Sequence, residues 1–510
     1  MTDGDNKKLG VIALAALVVG AMIGGGIFSL PQNMAQGAAV VAVILAWVIT
    51  GIGIFFLAQT FRVLADARPD ATTGIYAYAR LGFGRFAGFE MAWSYWLCNL
   101  FGNVGYAVLL MDALNYFFPG TFAGGNNLWS IIGGSIVIWV MNWAVLRGTH
   151  QAASINVIGT ACKLVPILLF ILIMLAAFRW RFFSTDMLGE SQMPAEHIKP
   201  LGSLLTQIRS TMLVTLWAFI GIEGAVVVSG RAKSQKDVGA ATVLGFFCCL
   251  LIYFLLSVLP FGRMYQPELA ALANPSTAPL LSSVVGDWGG WMMNLGVIVA
   301  LLTSWLAFTI MIAQIPYAAA LDGAFPKVFA RENRHGAPVV SLVVSSALMQ
   351  LFMILVYFAD NAWNTMLSVT SVMILPPYLA CTAYLWKLCA TGEYSEKLPV
   401  PRSFAFVCGV CGTLYALWMI YAAGLHYLLM AFICFVIGIP VFVWSRREAM
   451  ARSASHEDIF TPAERWCAWV LALVALIAIM VFAGHSASLE RHEHRWAHEV
   501  ETEIRHWADE

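Results

Sequence analysis

Two places in this chain put loose backbone where an apolar helix should be continuous. Gly24-Gly25-Gly26, inside Ile23 to Phe28, interrupts an apolar run long enough to cross a bilayer. Each glycine weakens a helix by about 1 kcal/mol relative to alanine, and backbone groups freed within hydrocarbon need other partners. Amides exposed at the start of a half-helix form a site suited to an anion such as a carboxylate. Far along the chain, Gly221-Ile222-Glu223-Gly224 makes a second mid-span break, and this one carries an acid. Two interrupted spans in corresponding places point to a transporter's midplane binding site. The plainer alternative is that small residues let transmembrane helices pack closely.

Ionisable residues inside apolar spans are functional candidates, because burying a charge is costly. Asp112 lies near Asn115 and Pro119, within reach of water at the end of its span. Lys163 sits deep in its span between Cys162 and Leu164, with Pro166 following. It can snorkel, or it can serve a carboxylate or the carbonyls of a broken helix; carbonyls near Ala21 and Met22 are the expected partners. Glu223, inside a break, reads as a proton carrier or cation partner, or else as a cap on freed amides. Trp129, Trp180 and Trp288 lie near span ends, as an interfacial belt requires. Trp217 and Trp305 lie mid-span, where an aromatic face can hold a cation within about 6 Å. The stretch from Trp93 through Tyr95 and Cys98 to Gly102-Asn103 is also deep and polar. Singly, each of these is core packing; beside two breaks they read as a cavity lining.

The elements that position these residues are set by composition. Of 510 residues, 60% are hydrophobic and 11% charged, with a mean hydropathy of +0.76. A soluble domain carries about 25% charged residues, so the chain is an all-α polytopic membrane protein. Zero formal net charge gives no electrostatic support to a nucleic-acid role. The ten cysteines lie almost entirely in apolar spans and read as small buried hydrophobes; the Cys408 and Cys411 pair reads as packing. No nucleophile–base pair, metal cluster or cofactor motif stands out, and the acidic, polar Met1 to Asn6 does not open a signal peptide. Thirteen spans are expected, at about 10–30, 38–64, 84–118, 128–146, 153–178, 207–229, 239–262, 286–320, 339–359, 364–389, 403–424, 427–445 and 464–484. Lys and Arg cluster in alternate loops (Arg68 and Arg80; Arg147; Arg231, Lys233 and Lys236; Lys327, Arg331 and Arg334; Lys387, Lys397 and Arg402; Arg446, Arg447 and Arg452), while most opposite loops are bare. Arg179, Arg181, Lys199 and Arg263 depart from the pattern. The bias predicts a cytoplasmic N-terminus. The charged tail 486–510, with His492, His494 and Trp496, reads as a solvated or interfacial helix.

Gly20 to Pro31, Gly74 to Arg80, Leu216 to Gly224 and Phe325 to Asn333 resemble the basic amino acid/polyamine antiporters of the amino acid–polyamine–organocation superfamily. Ser29 to Ala35, Ala152 to Asn156 and Glu223 to Ser229 are most similar to the arginine/ornithine branch, which a thirteenth span also fits. The resemblance implies a LeuT-like inverted repeat, five spans plus five, with spans one and six discontinuous. The transporter domain then covers 1–485, with repeats at about 10–178 and 207–389 and extra helices at about 403–484. It implies that Ile23, Gly24, Gly25 and Gly26 take the substrate carboxylate and that carbonyls around Ile220 and Gly221 take the amino group. Trp217 and Trp305 become aromatic walls, Tyr95 and Tyr378 gates, and Cys98 and Asn103 part of the site, with Asn103 near the cationic end. Lys163 stands where other relatives bind sodium, and Lys163 and Glu223 become the coupling residues. Two positions depart from the arginine/agmatine exchangers, which carry serines where this chain has Gly25 and Leu301. The implied activity is arginine/ornithine exchange across a bacterial inner membrane, without a cofactor or metal. Exchange of another cationic pair (arginine/agmatine, lysine/cadaverine or histidine/histamine) or proton-coupled symport are the alternatives. The partners are then a cationic amino acid and the lipid bilayer, not nucleic acid, with a homodimer left open.

Overall fold

The structure, a computed structural model, describes residues 11–71, 74–147, 150–189, 201–223, 235–453 and 458–483. Its first membrane segment is α1 (Val11–Met22), a 3-10 turn (Gly25–Ser29) and α2 (Leu30–Ala35). Then come α3 (Val40–Ala67), α4 (Ile75–Phe83), α5 (Arg85–Asn115), α6 (Leu128–Leu146), α7 (His150–Ala177), α8 (Trp180–Thr185) and α9 (Leu204–Ala218). After the second break follow α10 (Gln235–Val258), α11 (Gln266–Ala270), α12 (Thr277–Val285), α13 (Asp287–Leu321), α14 (Val339–Leu355), α15 (Ala362–Ala390) and α16 (Arg402–Ser453). A last helix, α17, spans Pro462–Ala483. Apart from an isolated bridge between Glu332 and Pro338, the regular structure of the described residues is helical. Helices satisfy their own backbone, which a bilayer demands.

Nine helices among the described residues are long and apolar enough to cross a membrane, and they cover ten of the thirteen expected segments; the fifth is α7, apolar over Lys163–Ala177. The expected spans 403–424 and 427–445 are the two helical halves of α16, which meet at Gly424, a non-helical residue (φ 76°, ψ 159°). The first and sixth spans are interrupted, so α1 has only 12 residues and α9 only 15 before the break. The expectations for Gly224 to Ser229, for Arg231 and Lys233 and for the 486–510 tail lie outside the described residues.

Burial separates posts from walls. In α5, 83% of the most apolar stretch is buried, against 28% in α6 and 11% in α17, so α5 is a central post and α17 is peripheral. Trp129, Trp180 and Trp288 are exposed, as residues facing a membrane interface would be. Side-chain hydrogen bonds tie the inner helices together. Thr50 and Thr215 hydroxyls meet at 2.6 Å between α3 and α9, and Ser94 donates to the Met373 carbonyl at 2.5 Å between α5 and α15. Such small polar residues are the usual adhesive between helices in lipid.

The close crossing of α15 and α16 is built on glycine. A Cβ on Gly409 in α16 would lie 2.7 Å from the Trp386 backbone nitrogen and 3.1 Å from the Thr382 carbonyl oxygen of α15. Backbone cannot swing away as a flexible side chain can. Gly409→Val should therefore force α15 and α16 apart and destabilise the protein by about 1–3 kcal/mol. A lower melting temperature in detergent would report this; an unchanged one would show that the crossing yields.

Candidate functional site

The first break is a local consequence of its residues. Helix α1 ends at Met22, Gly24 is extended (φ −90°, ψ 179°), and a 3-10 turn begins at Gly25. The last carbonyls of α1 lack intrahelical partners. Ile23 N donates to Val19 O at 2.9 Å, Lys163 Nζ donates to Gly20 O at 2.8 Å, and the Tyr253 hydroxyl donates to Met22 O at 2.9 Å. Lys163 is thus buried on the break, on Gly20 rather than on the Ala21 or Met22 carbonyl, because Tyr253 of α10 occupies Met22. On the other side of the break, Gly24, Gly25 and Gly26 open the turn with amides that have no acceptor within it.

The three glycines also provide clearance. A Cβ on Gly24 would lie 2.5 Å from the Tyr106 hydroxyl, one on Gly25 2.4 Å from Leu301 Cδ2, and one on Gly26 1.8 Å from Trp217 Cη2. Each glycine receives a side chain from a different helix: α5, α13 and α9. Gly25 and Leu301, the two departures from the exchanger pattern, are therefore in contact, and the larger residue at 301 fills the volume that a side chain at 25 would need.

The second break follows Ala218. Gly221 adopts φ 105°, a conformation that favours glycine, and its amide donates to Glu223 Oε2 at 3.1 Å. Glu223 also accepts from the Tyr95 hydroxyl at 2.9 Å on Oε1 and from the Tyr378 hydroxyl at 2.8 Å on Oε2. One carboxylate thereby ties α5, α15 and the unwound end of the sixth span into a latch.

Between the two breaks lies a cavity of about 30 Å³, room for a water or two and far short of an amino acid. From α1 and its break come Met22, Gly24 and Ile27, and from the second break Trp217, Ala218 and Ile220. Helix α5 supplies Cys98, Asn99, Gly102 and Tyr106, while α13 and α15 supply Phe308 and Thr370. The Trp217 ring lines the cavity and is edge-on to Trp363 with centroids 5.4 Å apart, and Trp363 Nε1 donates to Asn33 Oδ1 at 3.3 Å. The latch residue Tyr95 stands one helical turn before Cys98 and Asn99 of the cavity wall. Asn99 Oδ1 and Thr370 Oγ1 are buried in the cavity wall without partners among the described residues.

Of the residues singled out by sequence, the cavity gathers Gly24, Cys98, Trp217 and Ile220. Ile23 is buried beside it, Gly25 and Gly26 are covered by Leu301 and Trp217, and Gly221, Tyr95, Tyr378 and Glu223 form the latch. Asn103 faces Thr309 instead, with Nδ2 at 3.4 Å from Oγ1. Trp305 does not line the cavity: it is fully buried one turn from Leu301 and from Phe308, and Phe308 is the aromatic residue of α13 that does. Gly102, named with Asn103 at the end of the polar stretch, does line the cavity, whereas sequence reasoning missed Asn99 and Tyr106, although they stand 4 and 11 residues after Tyr95 on one helical stripe of α5. Tyr253, Phe308, Trp363 and Thr370 were also missed, and no local pattern marks them.

Two interrupted spans that enclose a small closed chamber define a membrane permease rather than a receptor or scaffold. The model of the amino acid permease family matches residues 9–447. The chain belongs to that family. It is 55% identical over 477 residues to a Clostridium perfringens protein named as an amino-acid transporter, covering 93% of this chain and 98% of that one. It is 54% identical to the arginine/agmatine antiporter of Chlamydia abortus, over 95% of this chain and 98% of that protein. The arginine/agmatine antiporter of Chlamydia caviae is also 54% identical, over 96% and 100%.

The Gly25–Leu301 contact should behave as a coupled pair. Gly25→Ser alone places its side chain into Leu301 and should weaken amino-acid binding and lower stability. Adding Leu301→Ser should recover most of the loss, a coupling of about 0.5–3 kcal/mol. Additive losses in a double-mutant cycle of binding and melting temperature would show that the two positions act separately.

Proposed function

We propose that this permease exchanges arginine for a cationic partner by alternating access. The observation that carries this reading is a chamber between two broken helices; in this reading the Trp217–Trp363 pair closes it at one end and the Tyr95–Glu223–Tyr378 latch at the other. A substrate enters only if one closure opens, and the other then separates it from the far side. In this reading the Gly24–Gly26 amides take the α-carboxylate, and the carbonyls of Ile220 and Gly221 take the α-ammonium. Asn99 Oδ1 and Thr370 Oγ1 accept from the guanidinium, while Trp217 and, once the chamber widens, Trp305 stack on it. Lys163 holds the first break in register, and Glu223 releases its tyrosines when the latch opens.

Agmatine is the counter-substrate we favour, because two of the relatives named above are arginine/agmatine antiporters and are aligned over nearly their whole length. Ornithine is the second reading, favoured by the residues after Ser29 and Glu223 that resemble the arginine/ornithine branch. We further propose that 10–178 and 207–389 are the two repeats of one transporter domain. The N-terminus faces the cytoplasm of a bacterial cell, so that α2 and the start of α15 face outward.

Proteoliposomes test this directly. Vesicles loaded with agmatine, with ornithine or with nothing are offered labelled arginine, with and without a pH gradient. Uptake should require an internal cation and be fastest with agmatine; faster uptake with ornithine would select the second reading. Uptake into empty vesicles driven by the gradient alone would contradict exchange and indicate proton-coupled symport.

A further inference from the structure

A second, larger cavity lies beyond the Trp217–Trp363 closure. It has a volume of about 490 Å³ and is lined by residues that include Asn33, Gln36, Arg209, Ser210, Asn364 and Tyr427. It communicates with the closed chamber through one chain of contacts: Asn33 lines it and accepts from Trp363, whose ring packs on Trp217. The Asn364 amide donates to Gln36 Oε1, which joins the start of α15 to the outer end of the first span. This cavity is large enough for an amino acid, whereas the chamber beneath it is not.

Its electrostatics are one-sided. Arg209 is its single charged lining residue, and none of the lining residues is acidic. Arg209 is exposed, its guanidinium lies 5.2 Å from the Tyr421 ring centroid, and it reaches the bend at Gly424. It belongs to none of the ion pairs found among the described residues. A vestibule that admits cations would be expected to carry carboxylates, so a lone fixed cation on the entry path calls for a reason. A guanidinium presents a planar fork of donors that matches a carboxylate. Arginine carries a carboxylate, and its decarboxylated amine carries only positive charge.

We propose that this vestibule is a waiting site for the substrate's α-carboxylate, held by Arg209, and that it admits cationic amino acids while rejecting the corresponding amines from the same side. The inference rests on the proposed exchange function. It adds directionality: the amine leaving the chamber meets a like charge and departs, and the incoming amino acid meets an opposite one and stays. Selectivity is then exerted before the Trp217–Trp363 closure opens.

The test uses the full chain in right-side-out vesicles, measuring the KM for external arginine and the inhibition constant of external agmatine. Because Arg209 is exposed, its replacement leaves the packed interior intact. Arg209→Gln should raise the first about fivefold and lower the second by a similar factor, as expected for one charge pair at contact distance in water. Arg209→Lys should keep both close to wild type, and constants measured from the inner face should not move. Constants that shift together, that change equally on both faces or that do not change would overturn the waiting site. A wild-type protein that neither imports arginine nor is inhibited by agmatine would instead overturn the exchange reading, and with it the substrate assigned to this vestibule.

Discussion

The structure depends on how a helix broken inside a membrane satisfies its backbone. The last turn of α1 presents carbonyls that would otherwise face hydrocarbon, and an unpaired buried acceptor costs about 1–3 kcal/mol. Lys163 and Tyr253 supply the missing donors at Gly20 and Met22. These two residues come from α7 and α10, so the break is also the point where those helices are pinned to the first span. A lysine is suited to this position because its ammonium carries three donors on a flexible stem. With the carbonyl side occupied by the protein, the amides at the start of the 3-10 turn are the groups of the same break without an acceptor in the turn.

The glycines have a second consequence. Tyr106, Leu301 and Trp217 approach successive residues of one turn, so α5, α13 and α9 converge on a strip of bare backbone. Any movement of the first span must pass through these contacts. The Tyr95–Glu223–Tyr378 latch plays the corresponding part at the second break, where α5 and α15 meet one carboxylate. Helix α5 touches both: its stripe from Tyr95 to Tyr106 runs from the latch to the glycine turn. This is why the central post of the fold also forms one wall of the chamber.

How much of this was legible in the sequence follows from the physics of each feature. The two breaks stood out because glycines and an acid within apolar runs violate the requirements of a membrane helix. Lys163 stood out for the same reason, and its position on the first break was expected to within a residue or two of the carbonyl it uses. The α5 stripe was legible in principle, since Tyr95 and Cys98 already define its face. What joins distant segments was not: Tyr253 meets a carbonyl 231 positions away, and Trp363 meets Asn33 across 330 positions. The burial of Trp305 and the turn of Asn103 toward Thr309 depend on how α5 and α13 pack together, which no spacing records. The contact between Gly25 and Leu301 likewise joins residues whose significance appeared separately as two unexplained departures.

The most direct measurement is arginine exchange in sodium-free proteoliposomes by Lys163→Ala. This variant removes one of the two side-chain donors at the first break and no group that lines the chamber. Lys163→Ala should lose exchange about tenfold or more, as one buried carbonyl left unpaired would produce, with little recovery in Lys163→Arg because the guanidinium is larger and planar. Exchange at the wild-type rate would contradict this and would show that the first break holds its shape without the lysine.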